Sequence, residues 1–132
     1  MQLFSTYKVS LKLILRTGIS LVWFINGLFC KILDLVPRHS MIVSRILGES
    51  HAAMATKTIG AFEVLMVVWI FSRIKPGLCA WTQILLVAAM NITEAIIAPD
   101  LLLFGRGNLL PAAIFISIIF LDEFYLEKAE KQ

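Results

Sequence analysis

The chain has 132 residues, 59% of them hydrophobic and only 16% charged, with a formal net charge of +3 and a mean hydropathy of +0.86. A domain this small cannot hide so much apolar mass from water, which excludes an ordinary soluble protein and leaves a single integral membrane domain over 1–132. The basic residues sit beside apolar runs and form no basic face interleaved with aromatics, so they read as topology signals and lipid-headgroup contacts, with no nucleic acid as partner.

In chain order, Lys8, Lys12 and Arg16 precede a first apolar run over residues 13–33. It is longer than a signal peptide core and no small-x-small cleavage site follows it, so a retained span is expected. Three further runs cover 53–73, 77–98 and 108–126. Each has roughly 20 residues, enough to cross a core of about 30 Å as a helix, and in lipid only a helix or a closed barrel satisfies its own backbone. The predicted fold is all-α: a transmembrane four-helix bundle.

Between the first two spans, "DLVPRHSMIVSRILGESH" carries Pro37 to open a helix and Gly48 to close one. Ile42, Val43, Ile46 and Leu47 share a face away from Arg38, Ser44 and Arg45, with Met41 the exception. This predicts an amphipathic interfacial helix over 37–48, with a plain surface loop as the other reading. "KPG" at 75–77 makes a tight turn, and "APDLLLFGRGN" a looser one with Asn108 as N-cap and Pro111 in the first turn after it.

Four spans put both termini on one side with Arg73 and Lys75, opposite Lys31, Arg38, Arg45, Lys57 and Arg106. The basic excess favours cytoplasmic termini. Cys30 and Cys79 then fall near opposite membrane faces, on the order of 20 Å apart, too far for a disulfide.

The polar groups inside the spans gather in the middle and outer half. Counted from the inner ends, Glu63 lies at about 15 Å, Asn26 at about 20 Å, Asn91 at about 21 Å, Lys57 at about 24 Å, Glu94 at about 26 Å and Lys31 at about 27 Å. Only Arg16 stands at the inner edge, placed to snorkel. Ser20, Trp23, Gly27 and Lys31 form one face of span one; Thr56, Gly60, Glu63 and Val67 one face of span two; Gln83, Val87, Asn91 and Glu94 one face of span three. Gly27 and Gly60 allow close helix approach.

A lone charge in hydrocarbon costs at least about 2.5–3.5 kcal/mol, so pairing or protonation is expected for Glu94, with Lys31, Lys57 and Arg106 as candidate partners at its own depth. Glu63 lies deeper with no obvious partner at its level. Glu63, Glu94, Asn91, Asn26, Lys31 and Lys57 are therefore the candidates for ligand binding or proton relay. Locking helices together is the competing role for the same groups. No residue is assigned to catalysis. His39 and His51 fall outside the bilayer in this topology, no metal set is formed, and no cofactor motif is present.

"RTGISLVWFINGLFCKILDLVPRHSMIVSRILG", with the Trp23–Gly27–Lys31 spacing, resembles the opening of DoxX-like small membrane proteins. So does the Gly60–x–x–Glu63 element in "IGAFEVLMVVWIF", and "AIIAPDLLLFGRGNLLPAA" is similar to the family's link into its last span. The resemblance implies a four-helix protein of a bacterial inner membrane. Some relatives are counted as subunits of a quinone-linked oxidoreductase, which implies a quinone as ligand and an oxidoreductase as partner. Three functions follow as expectations. The first is an accessory subunit that binds a quinone or lipid. The second is a small-solute transporter or channel working as a homo-oligomer, and the third an assembly scaffold whose charges only fix packing.

Overall fold

A computed structural model of the chain describes residues 2–102 and 105–126. Among these, every regular element is helical. Helix α1 covers Gln2–Phe24 and runs on as a π-helical stretch, Ile25–Ile32. Helix α2 is Pro37–Leu47, α3 Glu49–Ser72 and α4 Pro76–Ile97. Two short 3-10 turns, Pro99–Leu101 and Gly105–Asn108, lead to α5, Leu109–Phe120, which ends in a second π-helical stretch, Leu121–Leu126.

Four stretches are long and apolar enough to cross a membrane: Val9–Ile32, Glu49–Ser72, Pro76–Ile97 and Gly105–Tyr125. They coincide with the four spans read from the sequence to within a few residues at most ends. Their outward faces expose Phe62, Leu65, Val68, Leu85, Ile92, Ile96 and Ile114. A surface of that kind is untenable in water and ordinary in lipid. Inside, Ile19, Trp23, Met66, Ile70, Ile84, Val87, Ala112 and Ile119 form the core.

The breaks follow local chemistry. Pro37 and Pro76 each occupy the first turn of their helix, where a missing N–H costs nothing, and Gly48 closes α2 at φ +94°. The turn between α3 and α4 bends through Arg73 and Lys75, both in the left-handed region. Asn108 departs from expectation. Its backbone is already helical and its side chain makes no cap bond, because the preceding 3-10 turn feeds straight into α5.

Two glycines set how α1 and α3 meet. A Cβ on Gly27 would lie 2.6 Å from the Gly60 carbonyl oxygen, and a Cβ on Gly60 would lie 2.6 Å from that of Gly27. The backbones touch there, as expected from the sequence. At the same contact the Gly27 position abuts Glu63 and the Gly60 position abuts Lys31. Helix α2 packs its buried Ile42 and Val43 inward, beside α3 and the π-helical end of α1, while Met41, Ile46 and Leu47 stay exposed.

Candidate functional site

The polar faces of three spans converge at the α2 end of the bundle. Lys31 and Glu63, each 5% exposed, form an ion pair with Nζ 3.0 and 3.1 Å from the two carboxylate oxygens. The pair differs from expectation, in which Lys31 is one of three candidate partners for Glu94 and the deeper Glu63 is less obviously paired. The reason is reach. Lys31 stands level with Gly60, and its four-carbon stem extends along the groove between the glycines to the carboxylate a turn away.

Among the described residues no ion pair reaches Glu94. The cations nearest in effect are Lys31 and Arg38. Lys57 and Arg106, the other expected partners, are both exposed. Lys57 lines a separate open groove beside α3, which it shares with Lys31.

Around the pair and Glu94 lies a cavity of about 370 Å³. Its polar lining comes from Asn26, Lys31, Glu63, Asn91 and Glu94, five of the six residues singled out by sequence, joined by Arg38, His39 and Asn108. Trp23, Met90 and Phe115 supply apolar wall. Asn26 and Asn91 each donate their amide to their own helix, at Val22 O and Val87 O, 2.8 Å in both cases. Each side-chain carbonyl thus remains an acceptor available to a guest.

Arg38, His39 and Asn108 were missed. Reading 34–51 as a segment outside the bilayer set its residues aside, whereas α2 folds back and turns His39 and Arg38 into the cavity. The signal for His39 is its place three and four residues before Ile42 and Val43, on their buried face. Burial, then the Lys31 and Arg38 charges, lowers the His39 pKa from its usual 6.5 to about 4. At pH 7 the imidazole is neutral and offers one donor and one acceptor.

This fixes a pH dependence. Below about pH 6.5 the unfolded chain takes up a proton that folded His39 refuses until about pH 4, so stability falls as pH drops through that window. Melting curves in detergent at pH 7, 6 and 5 should show the decline, and His39→Gln should remove part of it. An unchanged slope in the variant counts against this placement of His39.

The remaining contacts hold α2 and the far end in place. Arg45 on α2 pairs with Asp100 in the turn after α4, and that guanidinium holds the Asp100 carboxyl below the usual carboxylate range. At the opposite end, which carries the N-terminus and the α3–α4 turn, Arg73 Nη1 pairs with Glu123 Oε2 at 3.1 Å. Between the two ends Trp23 Nε1 donates to Gln83 Oε1 at 2.9 Å, and Gln83 Nε2 lies 3.6 Å from Cys79 Sγ. Cys30 and Cys79 are free thiols.

Four apolar helices, charged groups paired inside them and a cavity lined from every helix define a small polytopic membrane protein. A family model described as the DoxX-like family matches residues 20–120, and the chain belongs to that family. The matched stretch takes in α2 and all of the cavity lining. Comparison with curated proteins and with solved structures finds no match.

Proposed function

We propose that this DoxX-like membrane protein binds an amphipathic molecule, a quinone or a lipid, in the cavity beside Lys31 and Glu63, as a non-catalytic subunit of a redox-linked complex. The cavity itself carries the reading. Its volume of about 370 Å³ lies within the ~300–1,000 Å³ range of ligand pockets. Its chemistry is divided as an amphipathic guest requires. Asn26, Asn91, His39 and Glu94 can hydrogen-bond a head carrying carbonyl or hydroxyl groups, while Trp23, Met90 and Phe115 take a ring or the start of a tail.

In this reading α2 lies in the membrane interface as an amphipathic cover. Its exposed Met41 and Leu47 rest among lipid headgroups and Arg45 is tied to the loop by Asp100. The membrane is a bacterial inner membrane and the termini face the cytoplasm, on the side richer in lysine and arginine. Electrons come from the oxidoreductase partner; this chain supplies the binding site.

The test uses Trp23 as reporter. Titrating a short-chain benzoquinone into the protein in nanodiscs should quench tryptophan fluorescence saturably. Glu94→Ala should raise the half-saturation concentration roughly tenfold, as loss of one hydrogen bond to a charged group would. Competition by added phospholipid separates a lipid guest from a quinone. Linear quenching that is identical in Glu94→Ala would end this reading.

A further inference from the structure

Lys12, Arg16, Ser20, Trp23, Gly27 and Lys31 follow a 4-4-3-4-4 spacing and share one face of α1. That face turns into the bundle along its whole length: Lys12, Ser20, Trp23 and Lys31 are buried and Arg16 is half-buried. From Lys12 to Lys31 the helix climbs about 28 Å, nearly the full hydrocarbon thickness. A ligand site at the α2 end accounts for Lys31 and Glu63. It does not account for the terminal end.

A lysine near the end of a span ordinarily extends to the headgroups. Here Lys12 is 7% exposed and Asp122, on the last π-helical stretch, 6%. Lys12, Arg16, Arg73 and Asp122 each have an interaction partner. Beside them is a second cavity of about 20 Å³, lined among others by Arg73, Cys79, Gln83, Asp122 and Glu123. It has room for one water and none for a hydrated ion. Ser20 Oγ, buried on the adjoining face of α1, has no hydrogen-bond partner among the described residues.

The two cavities meet at one bond. Trp23 is wall to the larger cavity, Gln83 is wall to the smaller, and the indole N–H of the first donates to the amide oxygen of the second. We propose that this column is a proton route across the membrane, with the Trp23–Gln83 hydrogen bond as its closed partition.

The lining selects the cargo. The small cavity, with room for a single water, excludes hydrated cations and anions alike. A proton needs only a chain of waters and exchangeable groups. Asp122 releases a proton to the water in the small cavity, and that water passes one on past the Ser20 hydroxyl. When Trp23 swings off Gln83, water joins the two cavities and a carboxylate of the larger one, Glu94, accepts the proton. Glu94 then returns it to the water on the α2 side and Asp122 takes up another from water at the terminal end, so each group ends as it began. The route does not depend on which ligand the larger cavity takes.

The experiment reconstitutes the full chain in liposomes that contain a pH-sensitive dye and carry a potassium diffusion potential set by valinomycin. The wild-type protein should let internal pH change several-fold faster than in protein-free vesicles. Asp122→Asn should return the rate to the protein-free value, and so should Gln83→Leu, whose apolar branched side chain fills the partition that water must cross. Trp23→Phe, which keeps the ring and drops the N–H, should raise it about fivefold, the worth of one ordinary hydrogen bond holding the partition shut. Asp122→Asn disturbs a buried cluster, so Ser20→Ala, which has no bond to lose, is measured beside it and should slow the flux without lowering the melting temperature. A wild-type rate equal to protein-free vesicles, a normal rate in Gln83→Leu, or an equal acceleration of chloride leak overturns the proposal. Quinone quenching in Asp122→Asn should stay as in wild type, so the ligand reading and the proton route stand or fall separately.

Discussion

Glu63→Leu is expected to lower stability by about 3–5 kcal/mol, and adding Lys31→Met is expected to restore most of the loss. Both side chains are 5% exposed and lie within 3.1 Å of each other, so the single variant strands an ammonium where neither water nor another carboxylate compensates it fully. Removing both partners leaves an apolar contact between helices already in close approach. Equilibrium unfolding in mixed micelles, run as a double-mutant cycle, measures the coupling. Losses that simply add would mean that the two groups do not stabilise one another. The paired result also bears on function, because Glu63 and Lys31 form one wall of the cavity and the double variant should keep the fold while changing the wall.

Gly60→Ala should cost about 1–3 kcal/mol despite adding a single methyl group. The obstacle is a backbone oxygen, Gly27 O, at 2.6 Å from the new carbon, with Lys31 Cβ at 2.8 Å. Neither can rotate away, so α1 and α3 must separate and the Lys31–Glu63 pair must stretch. Gly27→Ala meets the mirror-image obstacle, Gly60 O at 2.6 Å. Gly18→Ala is the control: a Cβ there meets nothing within 4 Å, and the better helix former should leave stability unchanged or slightly raised. The same unfolding assay ranks the three. If Gly60→Ala behaves like Gly18→Ala, the helices are not in backbone contact in the membrane.

Much of this architecture was legible because lipid imposes few solutions. Apolar runs of spanning length had to be helices, and the inward stripes through Trp23, Glu63 and Asn91 followed from periodicity alone. What was lost lay in the stagger between helices. Depths counted from each span's own end placed Lys31 beside Glu94, since span ends are poor markers of level. The Gly27–Gly60 contact was the better ruler. It sets Glu63 against Gly27 and Lys31 against Gly60, from which the observed pair follows directly.

The second loss has a different cause. A helix outside the spans was read as belonging to the surface, so Arg38 and His39 were not considered as lining. Likewise Lys12 and Arg16 were read as headgroup anchors. Whether a basic residue near a helix end points out or in depends on what the neighbouring spans present to it. In this chain the buried Asp122 and its neighbour Glu123 stand on the last span. Composition cannot register that choice.

The wide turn that ends α1 sets the aim of Lys31. Over Ile25–Ile32 the backbone bonds skip one residue farther than in an ordinary helix, as in Leu33 N–H to Leu28 O at 2.9 Å. Such a turn holds surplus chain: shortening it by one residue would return the stretch to normal pitch and change which of its side chains face the bundle, while the helix on either side keeps its place. Asn26 and Lys31, which stand on this stretch, can therefore be re-aimed while Trp23 before it stays put, like a cam turned on a fixed shaft. A lineage that gained or shed one codon here would alter what its cavity greets without touching any residue that lines it.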